Sequence, residues 1–318
     1  MQKNELIEEE FSFKEYFIPL TNAKAITWII VIGLIVYFIS LFNGFVWDDL
    51  PQYLNNPITH SILNTPQIIA NRLSTFYRPF PTILFSAIYI LFGPTAFWYH
   101  LFQVVLFLIT TVLFYLLLKK FVSRSLAFLL SIIFLIHPMN VESVAYISSS
   151  QTVLSLLFGL LALFVLENEK LRDVYKYSMV FLFLLFSILS KENGWIFFIL
   201  IPLFMYFNKS KRFIRKDYLF FTVSCLLIIC IYSSFILIFP GLNGTITEPI
   251  PILHAPLSIR LLTLPKIIFY YIYTFVFPLQ LGVTQQWLVT QVDFQNFVFP
   301  LLVDSIFFIS ILLSGNYI

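Results

Sequence analysis

Four short segments of this sequence carry acids and bases where an apolar run ends. They are Trp47-Asp48-Asp49-Leu50, Tyr77-Arg78-Pro79-Phe80, His137-Pro138-Met139-Asn140-Val141-Glu142 and Lys191-Glu192-Asn193-Gly194. A carboxylate just outside a bilayer can act as a general base, hold a metal, or simply end a helix in solvent. Adjacent residues point in different directions, so at most one of Asp48 and Asp49 aims at a substrate. The other orients it or binds a cation. Arg78 offers a planar, permanently charged fork that suits phosphate oxygens, or it snorkels to lipid headgroups. His137 and Glu142 are ligand types, but two donors do not make a metal site. His137 also reads as a structural hydrogen-bonding residue, because Pro138 disfavours helix there. Lys191 and Glu192 either close a hairpin as an ion pair or serve an anionic substrate together with Arg78. The run Ser148-Ser149-Ser150-Gln151 lines the same cavity or starts the next helix.

These groups need a scaffold, and composition names it. The chain has 318 residues, of which 59% are apolar, 19% aromatic and only 11% charged. A soluble domain is about 45–50% apolar and about 25% charged. With a mean hydropathy of +0.90, the sequence reads as an all-α, polytopic transmembrane bundle. Apolar runs of spanning type fall at 25–43, 97–118, 125–141, 145–166, 176–190, 193–207, 218–239, 258–278 and 297–313, about nine in all. Cys225 and Cys230 share one run and are not expected to pair. Asp304 sits inside the last run. No cleavable signal pattern follows 25–43, so residues 1–24 read as a cytoplasmic segment before a retained first span.

The shorter apolar stretch 80–92 decides the topology. If it does not cross, 1–24, 119–124 and 167–176 each place three Lys or Arg on one side, and 208–217 places five. If it crosses, the basic loop 208–217 flips outward, against the positive-inside rule. Residues 44–96 are therefore expected as one long extracytoplasmic loop whose segment 80–92 lies along the membrane surface, with Arg72 and Arg78 flanking it. A second outer loop spans 240–257, and Asn243-Gly244-Thr245 within it fits a common glycosylation triplet. Asp48, Asp49, His137, Glu142, Lys191 and Glu192 then share one side. The short fifth and sixth spans set the Lys191–Gly194 turn into a recess.

In this order, FVWDDLPQYLNNP (45–57), YRPFPTILFSAIYILFG (77–93), FWYHLFQVVLFLITTVLFYLLLKK (97–120), HPMNVESVAYISSSQTVLSLLFGLLALF (137–164) and SKENG (190–194) resemble the GT-C class of membrane glycosyltransferases. The likeness is to protein O-mannosyltransferases and the transmembrane-and-tetratricopeptide group, over about residues 25–280. It implies a catalytic acid in the first outer loop and a polyprenyl-phosphate sugar as donor. Asp48 matches that acid, and Asp49 stands where a second is usual. Arg78, Glu142 and Lys191 match cavity positions. No tetratricopeptide array lies within the 318 residues, so the expectation is a truncated product or acceptor recognition elsewhere.

Expected chemistry follows. A phosphate leaves as an anion without a general acid, so one carboxylate base suffices, unlike the pair of a glycoside hydrolase. Asp48 would deprotonate an acceptor hydroxyl on a protein, lipid or glycan as it attacks the anomeric carbon of a mannose-like hexose, with inversion. Arg78 and Lys191 would hold the phosphate, while Glu142 or Glu192 positions the sugar or the cations. No cofactor is implied, apart from an optional divalent metal at Asp48 and Asp49, and no nucleic acid is. The expected location is a cell inner membrane with the site outside. A transporter or flippase, a lipid-linked sugar polymerase or ligase, and a non-catalytic envelope-assembly protein remain the alternatives.

Overall fold

The computed structural model describes residues 20–70, 77–208, 213–238, 251–279, 281–282 and 287–314. Arg72, the Asn243–Thr245 triplet and most of the segments 1–24 and 240–257 lie outside the described residues. Every regular element among those described is helical. Among the described residues, six helices are long and apolar enough to cross a membrane: Ala96–Leu118, Ile147–Glu167, Asp173–Ser190, Arg215–Phe235, Leu257–Val276 and Phe294–Ile311. Arg124–Ile136 and Pro138–Ala145, bent by 53°, make a seventh if counted as one span. The nine-span arrangement also needs the shorter apolar helices Asn22–Tyr37 and Glu192–Phe207.

The chain divides into two units, Met1–Gly244 and Thr245–Ile318. The first contains α1 (Asn22–Tyr37), α2 (Thr65–Ala70), α3 (Pro79–Phe92), α4 (Ala96–Leu118), α5 (Arg124–Ile136), α6 (Val141–Ala145), α7 (Ser150–Glu167), α8 (Asp173–Ser190), α9 (Phe197–Phe207) and α10 (Arg215–Ile238). Helix α1 packs on α4 and α5 through Ala25, Ile29 and Tyr37. The Tyr37 hydroxyl donates to the Leu135 carbonyl at 2.9 Å, so a buried polar tip finds a partner inside an apolar seam. Helix α5 stops at His137 because Pro138 forbids its continuation. His137 Nδ1 accepts from the Met139 N–H at 3.3 Å and caps the turn that follows.

Helices α7 and α8 form the broadest contact of the unit. Ser155 and Ser187 meet there, fully buried, with hydroxyl oxygens 3.2 Å apart. Small hydroxyl residues let two apolar helices approach closely while remaining hydrogen-bonded. Helix α3 packs on α4, α7 and α8, and Phe80 stacks on Phe186 and meets Phe158 edge-on. That contact fixes the helix entrance where Arg78 sits.

A tight turn joins α8 to α9. Gly194 is buried in it, and a Cβ there would stand 2.7 Å from the Ser187 carbonyl carbon and 2.8 Å from the Ile188 nitrogen. Backbone cannot yield as a flexible side chain does. Gly194→Ala should therefore destabilise the chain by about 1–3 kcal/mol, read as a lower unfolding temperature in detergent.

The charges at the start of α8 form a separate network. Lys176 is buried and pairs with Asp173 and Asp217, each at 3.3 Å. Tyr177 donates to Asp217 at 2.6 Å, and Lys216 pairs with Asp173 at 2.6 Å. Lys120 pairs with Glu167. Eighteen residues of α8, about 27 Å at the α-helical rise, separate Asp173 from Lys191.

The second unit holds α11 (Pro251–His254), α12 (Leu257–Val276) and α13 (Phe299–Ser314). Helices α12 and α13 pack together, and Lys266 on α12 donates to Asn296 at 2.7 Å. Asp304 is buried on α13, and neither of its carboxylate oxygens has a hydrogen-bond partner among the described residues.

Candidate active site

The loop after α1 separates the two adjacent acids. Trp47 takes φ +45°, a left-handed conformation that is uncommon and strained for a bulky side chain. The chain then enters a single π-helical turn, Leu50–Leu54. Asp49 points inward and is fully buried. One of its oxygens accepts from the Val46 N–H at 3.0 Å. The other accepts from the Ser148 N–H at 2.8 Å and the Ser148 hydroxyl at 2.6 Å. Burial pushes the Asp49 carboxyl above its ordinary 3.8, and the Ser148 and Val46 donors pull against that rise. Asp49 thus pins the first loop to the start of α7.

Asp48 points the other way and is exposed. Its N–H donates to the Tyr146 hydroxyl at 3.2 Å. Its carboxylate makes no hydrogen bond among the described residues. Trp47, 66% exposed, meets Tyr146 edge-on at 5.8 Å. One aspartate therefore anchors the loop, and its neighbour is exposed to solvent.

Arg78, at the N-terminus of α3, reaches across to the α8–α9 turn. Its Nε donates to both Glu192 oxygens at 3.2 and 3.0 Å, and its Nη2 donates at 2.6 Å. The pair is partly buried, with side-chain exposures of 15% and 36%. The hairpin ion pair considered between Lys191 and Glu192 is replaced by this longer-range one. Lys191 instead donates to Thr152 on α7 at 2.8 Å. Burial pulls its ammonium below the ordinary 10.5, and the nearby Arg78 adds to the fall. Glu192 and Glu142 oppose it. Glu142 is exposed on α6 and accepts from the Ser149 hydroxyl at 3.1 Å. His137 lies at the other end of the α5–α6 break, occupied as a cap.

Tyr53, in the π-turn, joins the two halves of this cluster. It is 5% exposed, and its ring packs on Phe85 at 4.5 Å between centroids. Its hydroxyl makes no hydrogen bond among the described residues. Burial raises its pKa, as do Asp49, Tyr146 and Asp48, while Arg78 lowers it, so both the acids and the arginine lie within electrostatic reach. Sequence reasoning passed over Tyr53, Tyr146 and Thr152, since a tyrosine or threonine in so aromatic a chain carries no signal of its own. Ser148 and Ser149 do line the region, as partners of Asp49 and Glu142. No group of three His, Cys, Asp or Glu with metal-binding geometry occurs among the described residues.

A protein O-mannosyl-transferase of Caenorhabditis elegans is 29% identical over 181 residues, 52% of this chain and 26% of its own length. The chain is similar to protein O-mannosyl-transferases. Protein O-mannosyl-transferase TMTC3 of Homo sapiens is 28% identical over 162 residues, 48% of this chain and 18% of that protein. TMTC1 of Mus musculus, likewise named a protein O-mannosyl-transferase, is 36% identical over 138 residues, 39% of this chain and 14% of its own. The similarity thus covers about half of this chain and about a quarter or less of each curated relative. No family model and no solved structure matches the chain.

Proposed function

We propose that this chain is a multi-pass membrane glycosyltransferase that moves a mannose-like hexose from a polyprenyl-phosphate donor to a hydroxyl on a protein, or alternatively on a lipid or glycan. The observation that carries this reading is the linking of segments far apart in the chain: Arg78 pairs with Glu192, Lys191 lies within electrostatic reach of Arg78 and Glu142, and the Asp48 N–H bonds Tyr146, whose own N–H bonds the Glu142 carbonyl. Asp48 is the base that takes the acceptor proton, and attack on the anomeric carbon inverts it. Arg78 and Lys191 meet the leaving phosphate, where preorganised positive charge lowers the barrier. Glu192 and Glu142 hold those cations in place, and Asp49 holds Asp48.

Sidedness supports the same reading. Lys191 and Glu192 follow the last residue of α8, while Asp173, Lys176 and Lys216 gather at its first turn. Nine spans, with the lysine-rich turns and the N-terminus cytoplasmic, would leave Asp48, Arg78, Lys191 and Glu192 extracytoplasmic. The test is a transfer assay in membranes containing the chain, with a panel of labelled polyprenyl-phosphate sugars and hydroxyl acceptors. Product from a hexosyl donor is expected. No product from any donor overturns the proposal.

The depressed Lys191 ammonium gives a pH signature. It is charged on the acid side of its folded value and loses that charge below the ordinary lysine range as pH rises. The alkaline limb of kcat/KM should follow this loss. Arginine stays charged throughout, so Lys191→Arg should carry that limb to higher pH; a limb unmoved by the substitution assigns it to another group.

A further inference from the structure

We propose that the Tyr53 hydroxyl hydrogen-bonds a hydroxyl group of the sugar being transferred, an inference that rests on the reading just given. Three observations lead there. Tyr53 is buried and its ring is wedged among Phe85, Ile88 and Tyr99, so its position is fixed by packing. Its hydroxyl nevertheless has no hydrogen-bond partner among the described residues. The hydroxyl is open to solvent while the ring is held in the core, so a ligand can reach it. Finally, the turn that carries Tyr53 follows Asp48 and Asp49 directly and packs on α3, whose N-terminus is beside Arg78, so the acids and the arginine all lie within electrostatic reach.

The in-line geometry of the reaction says what belongs between them. The base holds the acceptor, the guanidinium holds the phosphate, and the hexose ring lies between the two. A phenol both donates and accepts, as does a sugar hydroxyl. A neutral partner suits an uncharged ring better than a further cation would. Burial keeps the phenol protonated, so it retains its proton to donate.

The experiment compares the full-length wild-type chain with Tyr53→Phe, using a polyprenyl-phosphate hexose and a series of donors each lacking one sugar hydroxyl. With the intact donor, Tyr53→Phe should lower kcat/KM roughly 10- to 100-fold. With one particular deoxy donor, wild type and variant should become equal, because the contact is already gone. The variant's unfolding temperature should match wild type, since no protein partner is lost. Equal loss with every donor, or no loss with the intact one, overturns the inference alone. Absence of transfer by the wild-type chain from every donor overturns the function proposed above, and this inference with it.

Discussion

Replacing Asp48 with asparagine is expected to lower sugar transfer by about 10²- to 10⁴-fold, the usual range for a lost general base, with the fold intact. The side chain is exposed, and its carboxylate makes no hydrogen bond among the described residues, so asparagine leaves no buried group unpaired. The Asp48 N–H that donates to Tyr146 is backbone and survives the change. The measurement is kcat with a donor the wild type uses, alongside thermal unfolding in detergent. Transfer at the wild-type rate by Asp48→Asn removes this residue from the role of base.

Its neighbour should behave in the opposite way. Asp49→Ala strips three hydrogen-bond donors of their acceptor in a fully buried site. Each orphaned buried group costs about 1–3 kcal/mol, and partial relaxation brings the expected loss to about 2–4 kcal/mol. Asp49→Asn is milder. Its amide oxygen can accept from Ser148, but its NH2 group then confronts the Val46 N–H, donor against donor. Unfolding temperatures should order wild type above Asp49→Asn above Asp49→Ala. An Asp49→Ala chain as stable as wild type would show that the carboxylate does not pin the loop.

The apolar scaffold was readable because hydrophobic runs of bilayer length have few alternatives. The break at His137-Pro138 was readable because proline's stereochemistry is local. The same local logic failed where partners are remote. Lys191 and Glu192 look like a pair in sequence, yet Glu192 binds Arg78, 114 positions away. Which of Asp48 and Asp49 faces outward depends on the left-handed Trp47 and on Ser148, 99 positions from Asp49. Composition marks neither. The helix lengths also differ from the apolar runs: α8 begins at Asp173, since buried Lys176 is neutralised inside the helix rather than ending it.

The Arg78–Glu192 pair bears on how tightly any anion can be held there. A phosphate arriving at this guanidinium meets a charge that is already compensated, so association is an exchange of one oxyanion for another. Affinity then reflects the difference between two ligands of similar geometry, which favours ready release over tight capture. In the proposed reaction, glutamate would reclaim the arginine as a spent lipid phosphate departs, giving each cycle a built-in way to clear its product.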